Sequence, residues 1–131
     1  MQDIFFSKLL HSEIQSHIFH FQIQNYAAHV AISDFYSGIS DLNDTLIEQC
    51  QGTHGYIYTN YQLEPIMNLN ENSKVTPANV SVVINYLEEL MSFIIEHKME
   101  VFTEDLSHLL NVIDEIVSLI TKTIYKLKFL K

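Results

Sequence analysis

Apolar residues recur at steps of three and four along most of this chain, the period of a helix with one buried side. Four such segments can be drawn. The first spans about residues 3–21, with Phe6, Leu9, Leu10, Ile14, His17 and Phe21 along one side. The second spans about 26–51 and carries Ile32, Phe35, Ile39, Leu42, Leu46 and Cys50, with Gly52 behind it as a stop. Thr76 and Pro77 open the third, about 77–98, as a cap followed by Pro at the first helical position. Its stripe is Val80, Val83, Ile84, Leu87, Leu90, Met91 and Ile94. The fourth, about 104–129, uses Leu106, Leu109, Leu110, Ile113, Ile116, Val117, Ile120, Ile124 and Leu127. Thr103 is its candidate cap, Glu104 and Asp105 suit the positive end of its dipole, and its lysines suit the negative end.

Residues 52–76 break this period. They hold Gly52, Gly55, Pro65, a polar run over 68–74 and tyrosines at 56, 58 and 61, with room for one short helix. Links between bundle helices usually take about two to eight residues. A connection this long predicts a crossover to the far end of the bundle. The expected fold is therefore one all-α domain over residues 1–131: a ferritin-like four-helix bundle with a long crossover between its second and third helices.

Composition narrows the function. Apolar residues make up 47% and charged residues 18% of 131, a globular balance, and three Gly and two Pro are too few for a many-stranded sheet. Arginine is absent and the formal charge is −9, so direct DNA binding is not expected: the phosphate backbone would meet only the small patch of Lys122, Lys126, Lys128 and Lys131. A lone cysteine, Cys50, forms no internal disulfide and fits a reducing cytoplasm. The N-terminal MQDIFFSKLL lacks the pattern of a signal peptide. The apolar stretch from Leu106 to Leu130 is broken by Asp114, Glu115 and lysines, so no membrane span is expected.

Seven histidines are the chemical signal. Glu13, His17 and His20 share one side of the first helix, His29 opens the second, and Asp44 and Glu48 share a side farther along it. Imidazoles and carboxylates on facing helices are the usual ligands of iron or manganese centres. His29 and Asp44 stand fifteen residues apart, roughly 22 Å along a straight helix but only about 60° around it. They cannot hold one metal within a chain. Two such helices packed antiparallel about a two-fold axis would bring His29 of one copy toward Asp44 and Glu48 of the other, so any metal site is expected to be shared. Each residue also has a plainer reading. Polar residues on an outward helical face are usually just solvated, His17 fits a hydrogen-bonded core histidine as well as a ligand, and His11, His54, His97 and His108 read as surface or capping residues. Asp114 and Glu115 read as a polar interruption on the solvent side.

At these positions the chain resembles the Dps branch of the ferritin-like superfamily, the small dodecameric ferritins of stressed bacteria. His17-Ile18-Phe19-His20-Phe21 stands where that family has His-x-x-His-Trp, and His29, Tyr36, Asp44 and Glu48 keep the family's spacing, with a glycine after the helix. The likeness in motifs covers about residues 14–55. It implies a ferroxidase site made by His20 and His29 of one subunit with Asp44 and Glu48 of its partner. There Fe(II) would be oxidised to Fe(III) by peroxide or dioxygen, for iron sequestration or peroxide protection. Glu13, His17 and Asp34 are further candidates beside it, and zinc or manganese suits the same ligands. The chain departs from the family in placing its key histidines nine apart rather than twelve, in Phe21 for Trp, in Ser33 (with Asp34 next to it) for an acidic residue, and in lacking a lysine-rich tail. It is also short, similar to a small group of bacteriophage-encoded ferritin-like proteins. The expected assembly is a homo-oligomer, at least a two-fold dimer, with the dodecamer as the form the resemblance implies, in the cytoplasm of a bacterial host or associated with a virion. The competing expectation is a non-enzymatic helical dimer or oligomer that binds an unknown protein partner through the tyrosine-rich connection.

Overall fold

The computed structural model describes residues 1–69 and 80–130, and within them the chain is four helices with no strand. They are α1 (Gln2–Gln22), α2 (Tyr26–His54), α3 (Val80–Val101) and α4 (Ser107–Phe129). The bundle is all-α, as the apolar period requires.

Local chemistry sets most of the ends. Asn25 caps α2, its side-chain oxygen accepting from the Ala28 N–H at 2.9 Å. The helix runs through Gly52, the expected stop, and closes at Gly55 instead. Gly55 takes the left-handed φ of 78° and donates its N–H to the Gln51 carbonyl at 2.8 Å. Gly52 stays helical, without the positive φ that Gly55 takes, so it does not end the helix. The start expected at Thr76-Pro77 lies outside the described residues. At the far end α3 continues past the expected boundary to Val101. Thr103 does not cap α4, because its hydroxyl donates to the Asp105 carboxylate; Leu106 precedes the helix without a capping side chain.

α1 packs on α2 and α3, and α4 packs on the same two, which places α2 and α3 on a diagonal of the bundle. The pairs are antiparallel. Asn43 of α2 meets Leu9 of α1, Asp34 of α2 meets Lys126 of α4, and Lys98 of α3 meets Asp114 of α4. Gly38 lets α2 approach α4, since a Cβ there would lie 3.0 Å from a methyl of Leu119. The core runs the length of the bundle from the Phe5, Phe6 and Phe102 cluster through Ile39, Leu87 and Ile116 to Ile32 and Ile120.

The first helix overturns one expectation. Ile14, His17 and Phe21, placed on its core side by the apolar period, are exposed, Phe21 at 70%. The core takes Phe5, Phe6, Leu9 and Phe19 together with Ser12 and Ser16. Those two hydroxyls bond back to the carbonyls of Leu9 (2.6 Å) and Ser12 (2.5 Å), so they sit in the core without an unpaired group. His17 is therefore not a core histidine.

The connection runs as an extended segment beside α1. Tyr56 reaches Gln2 at its start, Gln62 bonds Ser7, Pro65 bonds His11, Met67 bonds Gln15, and Leu69 bonds Gln22 at the other end of the helix. No helix forms within residues 56–69. No helix of the described residues is long and apolar enough to cross a membrane. Asp114 and Glu115 face solvent, as expected.

Candidate metal centre

The short turn between α1 and α2 brings His20 and His29 together. Their rings lie nearly parallel, 24° apart in plane, with centroids 3.9 Å apart. Each ring also bonds the other residue's main chain. His29 Nδ1 donates to the His20 carbonyl at 3.0 Å, and His20 Nδ1 lies 3.4 Å from the His29 carbonyl. A carbonyl only accepts, so Nδ1 is the donor in each contact, and Nε2 makes no hydrogen bond among the described residues. A histidine that binds a metal through Nε2 has its other nitrogen fixed by a backbone oxygen in this way.

A layer of rings surrounds this pair. His17 is sandwiched between Phe21 (4.7 Å) and Tyr36 (4.2 Å), both stacked, and Tyr36 also meets the edge of His20 at 5.2 Å. Tyr26 lies nearly parallel to His29, with ring centroids 6.4 Å apart. Tyr36 therefore braces both His17 and His20 from α2. Beside this layer a cleft of about 420 Å³ is lined by Glu13, Ile14, His17, Tyr36, Ser37, Ser40 and Asp41.

The acidic candidates behave differently. Asp44 and Glu48 are exposed on α2, toward the opposite end of the bundle from the histidines. The unbroken α2 keeps His29 and Asp44 at the roughly 22 Å set by helical rise. Among the described residues no three His, Cys, Asp or Glu side chains gather in a way that would hold a metal within one chain. Glu13 turns inward, where its Oε1 accepts from Asn43 Nδ2 at 2.8 Å. Burial raises its carboxyl above the usual range and the nearby Asp44 adds to this, against the Asn43 bond. Asp34 forms an ion pair with Lys126 at 3.5 Å and so belongs to the contact between α2 and α4.

Other histidines and the cysteine take structural places. His11, expected at the surface, is buried at 5% exposure. It bonds Tyr86 and the connection because α1 is covered on that side by both α3 and residues 56–69. His97 pairs with Glu100, and His108 with Thr53. Cys50 is fully buried, which pushes its thiol up to about 12 and keeps it protonated.

A family model matches residues 20–127, described as a family of unknown function, DUF5856. The chain belongs to that family. The match opens at His20 and takes in His29, Asp44 and Glu48, while Glu13 and His17 precede it. Comparison with curated proteins and with solved structures gave no match.

The residues that periodicity missed are Ser7, His11, Gln15 and Gln22, which hold the connection to α1. Ser7, His11 and Gln15 are spaced four apart, a stripe open to view in the sequence. Their polar character set them on the solvent side in any reading based on hydrophobicity.

Proposed function

We propose that this protein is a ferritin-like iron-binding protein that oxidises Fe(II) at a site divided between two copies of the chain. One copy supplies His20 and His29, and a two-fold-related copy supplies Asp44 and Glu48. The observation that carries this reading is the pair of adjacent imidazoles, each with Nδ1 engaged by a carbonyl and Nε2 free. Imidazole and carboxylate suit iron, and the carboxylates would favour the more highly charged Fe(III) product. Two Fe(II) would give one electron each to a peroxide, which leaves with two protons as two waters. Zinc or manganese would be held by the same four ligands.

Two features of the single chain favour an antiparallel pair. Ile14, Phe21, Tyr26 and Val30 are exposed around the histidines, an apolar rim that no described residue covers. The charge is also divided along the bundle. Lys122, Lys126 and Lys128 lie at the end of the bundle that carries His20 and His29, the last two paired within the chain to Asp34 and Glu88, and Glu48, Glu96, Glu100, Glu104 and Asp105 lie toward the other. Antiparallel copies would bring opposite charges together. A two-fold dimer is the smallest assembly that completes the site, and the dodecamer of the resembling family is a larger form of the same pairing.

The second reading is a helical interaction protein without metal chemistry. It is favoured by the exposed apolar side chains of the connection, Ile57, Leu63, Ile66 and Met67.

Elemental mass spectrometry of the purified protein, before and after anaerobic Fe(II) addition, separates the two readings. The divided site predicts about two metals per dimer-related site in the wild type and loss of both in Asp44→Ala/Glu48→Ala. Absence of bound metal from the wild type under both conditions would rule out the iron reading and leave the interaction protein. Native mass spectrometry of the same samples gives the size of the assembly.

A further inference from the structure

α4 carries a second stripe, opposite the one it buries. Asn111, Glu115, Ser118, Lys122, Tyr125 and Phe129 recur at alternating steps of four and three, and all six are exposed. That period keeps them on one side of the helix for about 27 Å. The helix packs on α2 and α3 through its apolar side, so this one points away from the bundle.

Two features distinguish it from an ordinary solvated face. The first is aromatic. Tyr125 and Phe129 are 54% and 69% exposed, with ring centroids 5.7 Å apart, and no described residue covers them. Paired rings left in water hold apolar area that a partner would bury. The second is charge. Of the five Asp, Glu and Lys residues in α4, three are paired to neighbouring helices: Asp114 to Lys98, Lys126 to Asp34 and Lys128 to Glu88. Glu115 and Lys122 have no ion pair among the described residues. They stand two helical turns apart, roughly 10 Å along the axis, too far to pair with each other.

We propose that this side of α4 is a self-contact, against which α4 of a second copy packs antiparallel about a two-fold axis near Ser118. The order of residues is self-complementary. Turning the helix end for end sets Lys122 of each copy toward Glu115 of the other, which gives two equivalent ion pairs. A parallel arrangement would set lysine against lysine and glutamate against glutamate. Ser118, between the charges, is small and lets the helices approach. The same rotation lays Tyr125 and Phe129 over the polar stretch around Asn111 of the other copy. One helix side offers less than the roughly 800 Å² per partner of a standard interface. The contact is therefore weak alone and gains wherever copies are joined elsewhere as well. α4 stands diagonally opposite α1, so the pairing leaves His17 and His20 open and holds whether or not they bind metal. Copies joined at both places would build an assembly larger than a dimer.

Disulfide trapping of the intact chain tests this. Ser118→Cys places a thiol near the axis, where facing Cα atoms would come within about 7 Å, the reach of a disulfide. Ser92→Cys, exposed on α3, is the reference, and the native Cys50 is fully buried. Denaturing, non-reducing electrophoresis then counts covalent dimers, whatever other contacts the protein makes. Each rate is divided by that thiol's rate with a small disulfide reagent, which corrects for its reactivity. Ser118→Cys should be trapped at least about tenfold faster than Ser92→Cys, the effect of a raised local concentration. Adding Lys122→Glu should slow trapping about tenfold through like charges, and adding Glu115→Lys as well should restore it. Where Lys122→Glu does not fold, about 0.5 M salt screens the same pairs and should slow trapping too. No excess over Ser92→Cys would overturn the proposal. So would a rate that neither Lys122→Glu nor salt changes, or a charge exchange that restores nothing.

Discussion

α1 and α4 are helices of nearly equal length, 21 and 23 residues, and they are built on opposite plans. Of the eight buried residues of α4, only Thr123 is polar. Of the nine buried residues of α1, five are polar: Ser7, His11, Ser12, Gln15 and Ser16. α4 meets the core on one side and water on the other, so a single apolar stripe describes it. α1 is covered by α2, α3 and the connection, and its remaining side carries His17, His20 and Phe21 outward. A helix enclosed on several sides cannot follow one stripe. Its polar residues are placed by the partners they must satisfy, and in this chain those are the residues with specific work to do.

If that contrast holds, substitutions in the two helices should fail by different routes. The largest effect is expected in α4, where Ile116 is fully buried among the other helices. Ile116→Ala should lower unfolding free energy by about 3 kcal/mol through lost burial and the cavity left behind, measured by urea denaturation. A loss below about 1 kcal/mol would mean the α4 stripe is not the main support of the bundle. Next comes Gln15→Ala, which leaves both main-chain groups of Met67 without their partner. It should cost about 1–2 kcal/mol, with amide exchange accelerated at Met67 and not in α4. Acceleration spread evenly over the core would show that the connection is part of the cooperative unit. The smallest effect belongs to the outward side. Because His20 and His29 are only partly buried, His29→Ala should change stability by less than about 1 kcal/mol, while removing metal uptake if the site is as proposed. A large drop in melting temperature for His29→Ala would make the paired rings a structural clasp of the α1–α2 turn.

Legibility of the sequence followed the same division. The helices with a single buried side were visible from residue type: Leu109, Ile113, Ile116, Ile120, Ile124 and Leu127 in α4, Val83, Leu87, Leu90 and Ile94 in α3, and Ile32, Phe35, Ile39, Leu46 and Cys50 in α2 are all buried, while Leu106, Leu110 and Val117 of the α4 stripe are partly so. In α1 the reading by period put Ile14, His17 and Phe21 inward, because it counted apolar type and could not count neighbours. The end of α2 was misjudged for a related reason. Two glycines, Gly52 and Gly55, were equally suited to stop it, and only Gly55 takes the left-handed conformation that does so. At the candidate centre, helical rise alone separated His29 from Asp44. The closeness of His20 to His29 was given by the resemblance of spacing and not by the residues' own period.

What the amino-acid order determined by itself is the helical period, the four long helices, the charge balance and the distances along each helix, because these depend on neighbours a few residues away. Tertiary structure alone decided which side of α1 faces inward, that Ser7, His11, Gln15 and Gln22 hold the connection, and that the rings of His20 and His29 stack with centroids 3.9 Å apart. Each of these depends on groups distant in the chain, and a polar side chain takes its place from the partner that satisfies it rather than from its own preference for water.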